Sequence, residues 1–113
     1  MAQVKASNDQ VFLERMARNP DNSFDVQEAA IKKLTDQTAL AGIARDGNSR
    51  MQEAAVRKLT NQPVLAEIAR NDRTLWIRIA AVETMTDRGL LSKIAKEHEE
   101  REVRRAAEIR LGR

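Results

Sequence analysis

The chain has 113 residues, 42% hydrophobic and 33% charged, with 20 Lys and Arg against 17 Asp and Glu for a net charge of +3. That length is one domain, zero Cys excludes disulfides, thiolate nucleophiles and Cys-ligated zinc, and one His excludes a multi-histidine metal site. No apolar run approaches a membrane span, and the N-terminus lacks the apolar stretch of a signal peptide, so a cytoplasmic protein is expected.

Two short blocks, A and B, alternate along the chain. Leu13-Glu-Arg-Met-Ala-Arg is the first B block, followed by the A block Val26-Gln-Glu-Ala-Ala-Ile-Lys-Lys-Leu. Leu40-Ala-Gly-Ile-Ala-Arg and Met51-Gln-Glu-Ala-Ala-Val-Arg-Lys-Leu repeat the pair, then Leu65-Ala-Glu-Ile-Ala-Arg and Ile77-Arg-Ile-Ala-Ala-Val-Glu-Thr-Met. Leu91-Ser-Lys-Ile-Ala-Lys and Val103-Arg-Arg-Ala-Ala-Glu-Ile-Arg-Leu close the series, with A blocks spaced 25, 26 and 26 residues apart. Residues Ala2 to Ser7 leave open a degenerate first A element.

Each block predicts a short helix. Val26, Ala29, Ala30, Ile31 and Leu34 make one apolar stripe at helical spacing, and strand alternation does not fit them. The high Ala content, 17 residues against 4 Gly and 2 Pro, agrees. Asp25 with Glu28, and Ser49 with Gln52, have the spacing of capping boxes for the A helices. Asp36, Asn61 and Asp87 hold one equivalent position suited to capping the B helices, with Pro63 in a first turn. Helices of about nine residues are marginal alone in water, so stability must come from stacking neighbours. The expected fold is an all-α solenoid of short two-helix repeats. One domain over 1–113 holds about four repeats, 1–25, 26–50, 51–76 and 77–102, with a terminal half-repeat at 103–113.

The Val-Arg-x-Ala-Ala motif at Ile77 to Ala81 and Val103 to Ala107 resembles the short HEAT-like repeats of bacterial α-solenoid proteins. The period also has some similarity to variant leucine-rich repeats, whose second element is a tight 3₁₀ turn. The HEAT-like resemblance implies a right-handed superhelix with B helices lining the concave side. The chain departs from the motif at Gln27 and Gln52, where the Arg is absent.

Few reactive groups converge in the sequence. His98, in Lys96-Glu-His-Glu-Glu-Arg-Glu, reads as a solvated surface histidine, the glycines are scattered singly, and no Asp/Glu/His cluster resembles a metal site. No enzyme activity, cofactor or metal is expected. Binding fits better, because Arg18, Arg45, Arg70 and Lys96 share one offset in successive B helices, with Arg15 and Lys93 one turn earlier. Such a column suits an acidic protein segment, although a cation ending a helix is also favoured by the macrodipole without any ligand. The pI is about 9.7, but the basic excess is small and aromatics are sparse, so nucleic acid is the secondary reading and a membrane surface a weaker one. A purely structural solenoid fragment is the third.

Trp76, the one tryptophan, either staples a loop with Leu75 or anchors a partner; packing is the expected role. Glu97–Arg101 and Glu100–Arg104 support helix through the last linker, where the chain should instead turn. A turn lets the final helix cap the stack and gives a monomer. A continuous helix would expose Val103, Ala106, Ala107 and Leu111 and invite a swapped or end-to-end dimer.

Overall fold

The computed structural model describes residues 9–113, so the question of a helix at Ala2 to Ser7 lies outside the described residues. Among the described residues it holds eight α-helices and no strand. They are α1 (Gln10–Arg18), α2 (Phe24–Lys33), α3 (Gln37–Asp46), α4 (Ser49–Val56), α5 (Gln62–Asn71), α6 (Leu75–Thr84), α7 (Arg88–Glu97) and α8 (Arg101–Leu111). The odd-numbered helices are the B blocks and the even-numbered ones the A blocks. Each B element is a full α-helix of 9 or 10 residues, not a 3₁₀ turn.

The contacts divide into two compact units, one running to Lys58 and the other from Leu59 to Arg113. In each, a B helix packs on the A helix that follows it, and the two A helices pack on each other. The stripes read from the sequence supply the interiors. Leu13, Ala30, Ile31, Leu34, Leu40, Ile43 and Val56 are buried in the first unit, and Leu65, Ile77, Val82, Met85, Leu91, Ile94 and Val103 in the second. Fully burying such a side chain contributes about 1.5–3 kcal/mol, well above the few tenths from surface pairs such as Glu53–Arg57 at 3.3 Å.

The B helices start where expected. Oδ1 of Asp36 accepts from Thr38 N and Ala39 N, Asn61 Oδ1 from Val64 N, and Asp87 Oδ1 from Leu90 N; Asp9 adds a fourth cap on α1. The A helices correct the sequence reading. Their caps lie upstream, at Ser23 (Oγ to Val26 N, 3.3 Å) and Asn48 (Oδ1 to Met51 N, 3.1 Å), leaving Asp25 and Ser49 inside the first turn. Gln52 therefore does not close a capping box.

Its amide does something else. Gln52 Nε2 donates to Ala44 O at 2.9 Å, and Gln27 Nε2 donates to Asn19 O at 2.9 Å. Arg78 Nη1 donates to Asp72 O, and Arg104 Nη1 donates to His98 O at 2.7 Å. One position in all four A helices thus satisfies a carbonyl at the end of the preceding B helix, a group that lacks an intrahelical partner. Gln27 and Gln52, the departures from the Arg motif, perform the same task with an amide.

A second set of contacts ties neighbouring repeats at the A-to-B turn. Gln10 Oε1 accepts from Thr35 N and Asp36 N, both at 2.8 Å, and Gln62 Oε1 accepts from Thr86 N and Asp87 N at 2.8 and 2.9 Å. Gln37 and Arg88, at the same place in their helices, donate to Lys58 O and Leu111 O. From the A side, Lys58 Nζ donates to Ile31 O, Lys32 O and Leu34 O, and Arg110 Nε donates to Met85 O at 2.8 Å. Both cations close the C-terminal end of the preceding A helix, where positive charge is favoured. Burial pushes the Lys58 ammonium below the ordinary lysine range.

The last linker turns. His98 caps α7, its Nδ1 accepting from Glu100 N at 3.0 Å while Nε2 lies 3.1 Å from Ala69 O. Facing a carbonyl, Nε2 carries the proton. His98 is therefore half-buried and bonded on both nitrogens, not the solvated side chain expected from its charged neighbours. Glu100 turns to Arg78, with Nε 2.7 Å from Oε1 and Nη2 donating to Oε2 at 2.9 Å, instead of pairing with Arg104. Val103, Ala107 and Leu111 are buried.

Candidate interaction clefts

The two units carry equivalent clefts at the C-terminal ends of their B helices, and the sequence gives them different contents. The first, about 310 Å³, is lined by Arg18, Gln27, Ile43, Asp46, Gly47 and Met51 among others. Arg18 Nη1 lies 2.8 Å from Asp46 Oδ1, and its Nε lies 3.1 Å from Glu14 Oε2. Burial works against the Arg18 charge, but the hydrogen bonds and charges of Asp46 and Glu14 outweigh it and raise the pKa above the ordinary arginine value. Gly42 makes this arrangement possible. A Cβ there would stand 2.6 Å from Arg18 Nη2, so the missing side chain is the bed on which the guanidinium lies.

The second cleft, about 370 Å³, is lined by Arg70, Asn71, Lys93, Ile94, Glu97, His98 and Glu99. Arg70 stands where α1 has Arg18, but its surroundings have changed. Ala66 replaces Glu14, Lys93 replaces Gly42, and Glu97 replaces Asp46. Neither Arg70 nor Lys93 makes a hydrogen bond or ion pair among the described residues. Lys93 stands at the position of Gly42, where a Cβ alone would crowd the path that Arg18 takes, and its like charge opposes close approach to Arg70.

Of the expected binding residues, the structure brings Arg70 and Lys93 into one cleft and ties Arg18 to its own carboxylates. Arg45 and Lys96 are exposed in the last turns of α3 and α7, and Lys96 does not line the second cleft. Trp76, the second residue of α6, is 64% exposed and so stands outside the core that Ile77 and Ala80 join. Asn71, Glu97, His98 and Glu99 complete the second cleft and were not singled out as binding residues. Their signal was positional: Glu97 aligns with Asp46.

Among the described residues no three His, Cys, Asp or Glu side chains converge on a metal position, and no helix is long and apolar enough to cross a membrane. No protein-family model, curated protein or solved structure matches the chain.

Proposed function

We propose that the chain is a non-enzymatic protein-interaction module, a scaffold of helical repeats in the right-handed α-solenoid form, that receives an acidic segment of a protein partner on its B helices. The observation that carries the reading is the second cleft, where Arg70 and Lys93 face solvent without any carboxylate bound to them. The solenoid form is supported by the 25- to 26-residue period and by the recurrence, within each unit, of the same caps and inter-repeat bonds. The helices fix where the two cations emerge, while ordering their unbound side chains on binding costs about 0.5–1.5 kcal/mol each.

The test is a titration by fluorescence anisotropy. A labelled peptide of alternating Glu and Ser should bind, with affinity falling as salt rises, and its Gln/Ser counterpart should not. Duplex DNA and single-stranded RNA serve as the other arms. Tighter binding to either nucleic acid than to the acidic peptide would replace this reading with that of a nucleic-acid-binding repeat protein. No binding in any arm would leave a purely structural role.

A further inference from the structure

Within the first cleft the protein already displays a bound carboxylate. Arg18 reaches from one repeat to Asp46 of the next at 2.8 Å, lying across Gly42 to do so. Asp46 is therefore an internal picture of how an arginine at this position holds an acidic side chain. The second unit repeats the arginine and changes each residue around it. Ala66 stands in place of Glu14, Lys93 in place of Gly42, and Glu97, although it lines the cleft, is not bound to Arg70.

We infer that the second cleft is an open carboxylate seat, and that an Asp or Glu side chain of a partner peptide binds there between Arg70 and Lys93, as Asp46 binds Arg18 in the first. Arg70 supplies the fork of donors and Lys93 a second cation that Gly42 cannot offer. Half-buried His98 forms part of the floor, held by Ala69 O and Glu100 N, so it fixes the cleft's edge without donating to the ligand. Glu97 and Glu99 are the competing charges, which limit affinity and reject ligands of high negative density. The first cleft, filled by its own Asp46, takes no ligand. This assignment rests on the proposed function and goes further by placing recognition in one cleft of the two.

The experiment uses the full chain and the same labelled Glu/Ser peptide. Arg70→Gln and Lys93→Gln should each weaken binding about tenfold, the loss expected for a charge-assisted hydrogen bond. Arg18→Gln should leave affinity unchanged, and Glu97→Gln should tighten it by removing the competitor. Circular dichroism checks that each variant keeps its helices. Binding that survives Arg70→Gln and Lys93→Gln together, or falls equally with Arg18→Gln, overturns the seat while leaving an acidic-segment module intact. Absence of peptide binding by the unaltered chain overturns both.

Discussion

Gly42 and Gly47 lie in one helix and its cap, yet an added methyl meets different neighbours at each. At Gly42 it meets the far end of the Arg18 side chain, which can swing away. The helix propensity gained, about 1 kcal/mol, then matches or exceeds the exposed pair with Asp46, worth about 0–1 kcal/mol. Gly42→Ala should leave the midpoint of urea unfolding unchanged or higher. At Gly47 the methyl stands 2.7 Å from the backbone oxygen of Ile43, which cannot yield without unwinding α3. Gly47→Ala should cost about 1–3 kcal/mol, and a neutral result would show that this turn relaxes freely. Lys58 offers a third test at this scale. Its loss in Lys58→Met takes a donor from Lys32 O and Leu34 O, while Ile31 O keeps Leu34 N, and should cost about 1–3 kcal/mol. Because burial lowers the folded-state pKa, the unfolded chain holds the Lys58 proton more firmly. The stability difference between the unaltered chain and Lys58→Met should therefore grow in the former's favour as pH climbs towards 10.5, measured by unfolding at several pH values.

The helices themselves were written plainly in the sequence, because their stripes are governed by a strong, non-directional force and by a period that no strand shares. Ala30, Ile31 and Leu34 fall on the buried face that their offsets demand, whereas Ala29 of the same stripe is exposed and Gln27, outside it, is buried. The A-helix caps were misread by one or two residues, since Asp25 and Ser49 carry plausible capping spacing and only backbone geometry reveals that Ser23 and Asn48 hold the bond. Ser23→Ala and Asn48→Ala should each cost about 1 kcal/mol, whereas Ser49→Ala should stay within about 0.5 kcal/mol; thermal melts distinguish them. The turn after α7 was legible as a necessity but not in its means. Nothing in a run of helix formers announces that His98 will bond Glu100 N and Ala69 O, contacts that depend on where α5 ends. His98→Ala should loosen this turn and speed amide exchange from α8 before any other helix of its unit.

For the whole molecule, the repeat was visible while its fastening was not. Gln10, Gln37 and Gln62 occupy one place in three B helices, a recurrence that could have been noticed, but an amide reaching another repeat's backbone leaves no hydrophobic signature. The clefts were half legible for a related reason. Aligned cations mark them, whereas their being filled or empty turns on Gly42 against Lys93, a difference of space that a charge pattern does not express. Because Val103, Ala107 and Leu111 are covered within their own unit, sedimentation should return the mass of a single chain, and a dimer would point to a different covering for α8. Within each unit the fastenings also separate two kinds of turn by what they tolerate. Val26 to Leu40, Met51 to Leu65 and Ile77 to Leu91 are equal steps, while Leu13 to Val26, Leu40 to Met51 and Leu65 to Ile77 are not. Extra residues spliced between Pro20 and Asp21 should be carried as a harmless loop, whereas the same splice between Thr35 and Asp36 would pull apart the amides that Gln10 holds. Room for extra chain thus lies in the loops beside each unit's cleft, and the A-to-B turn of each unit is a seam that admits no slack.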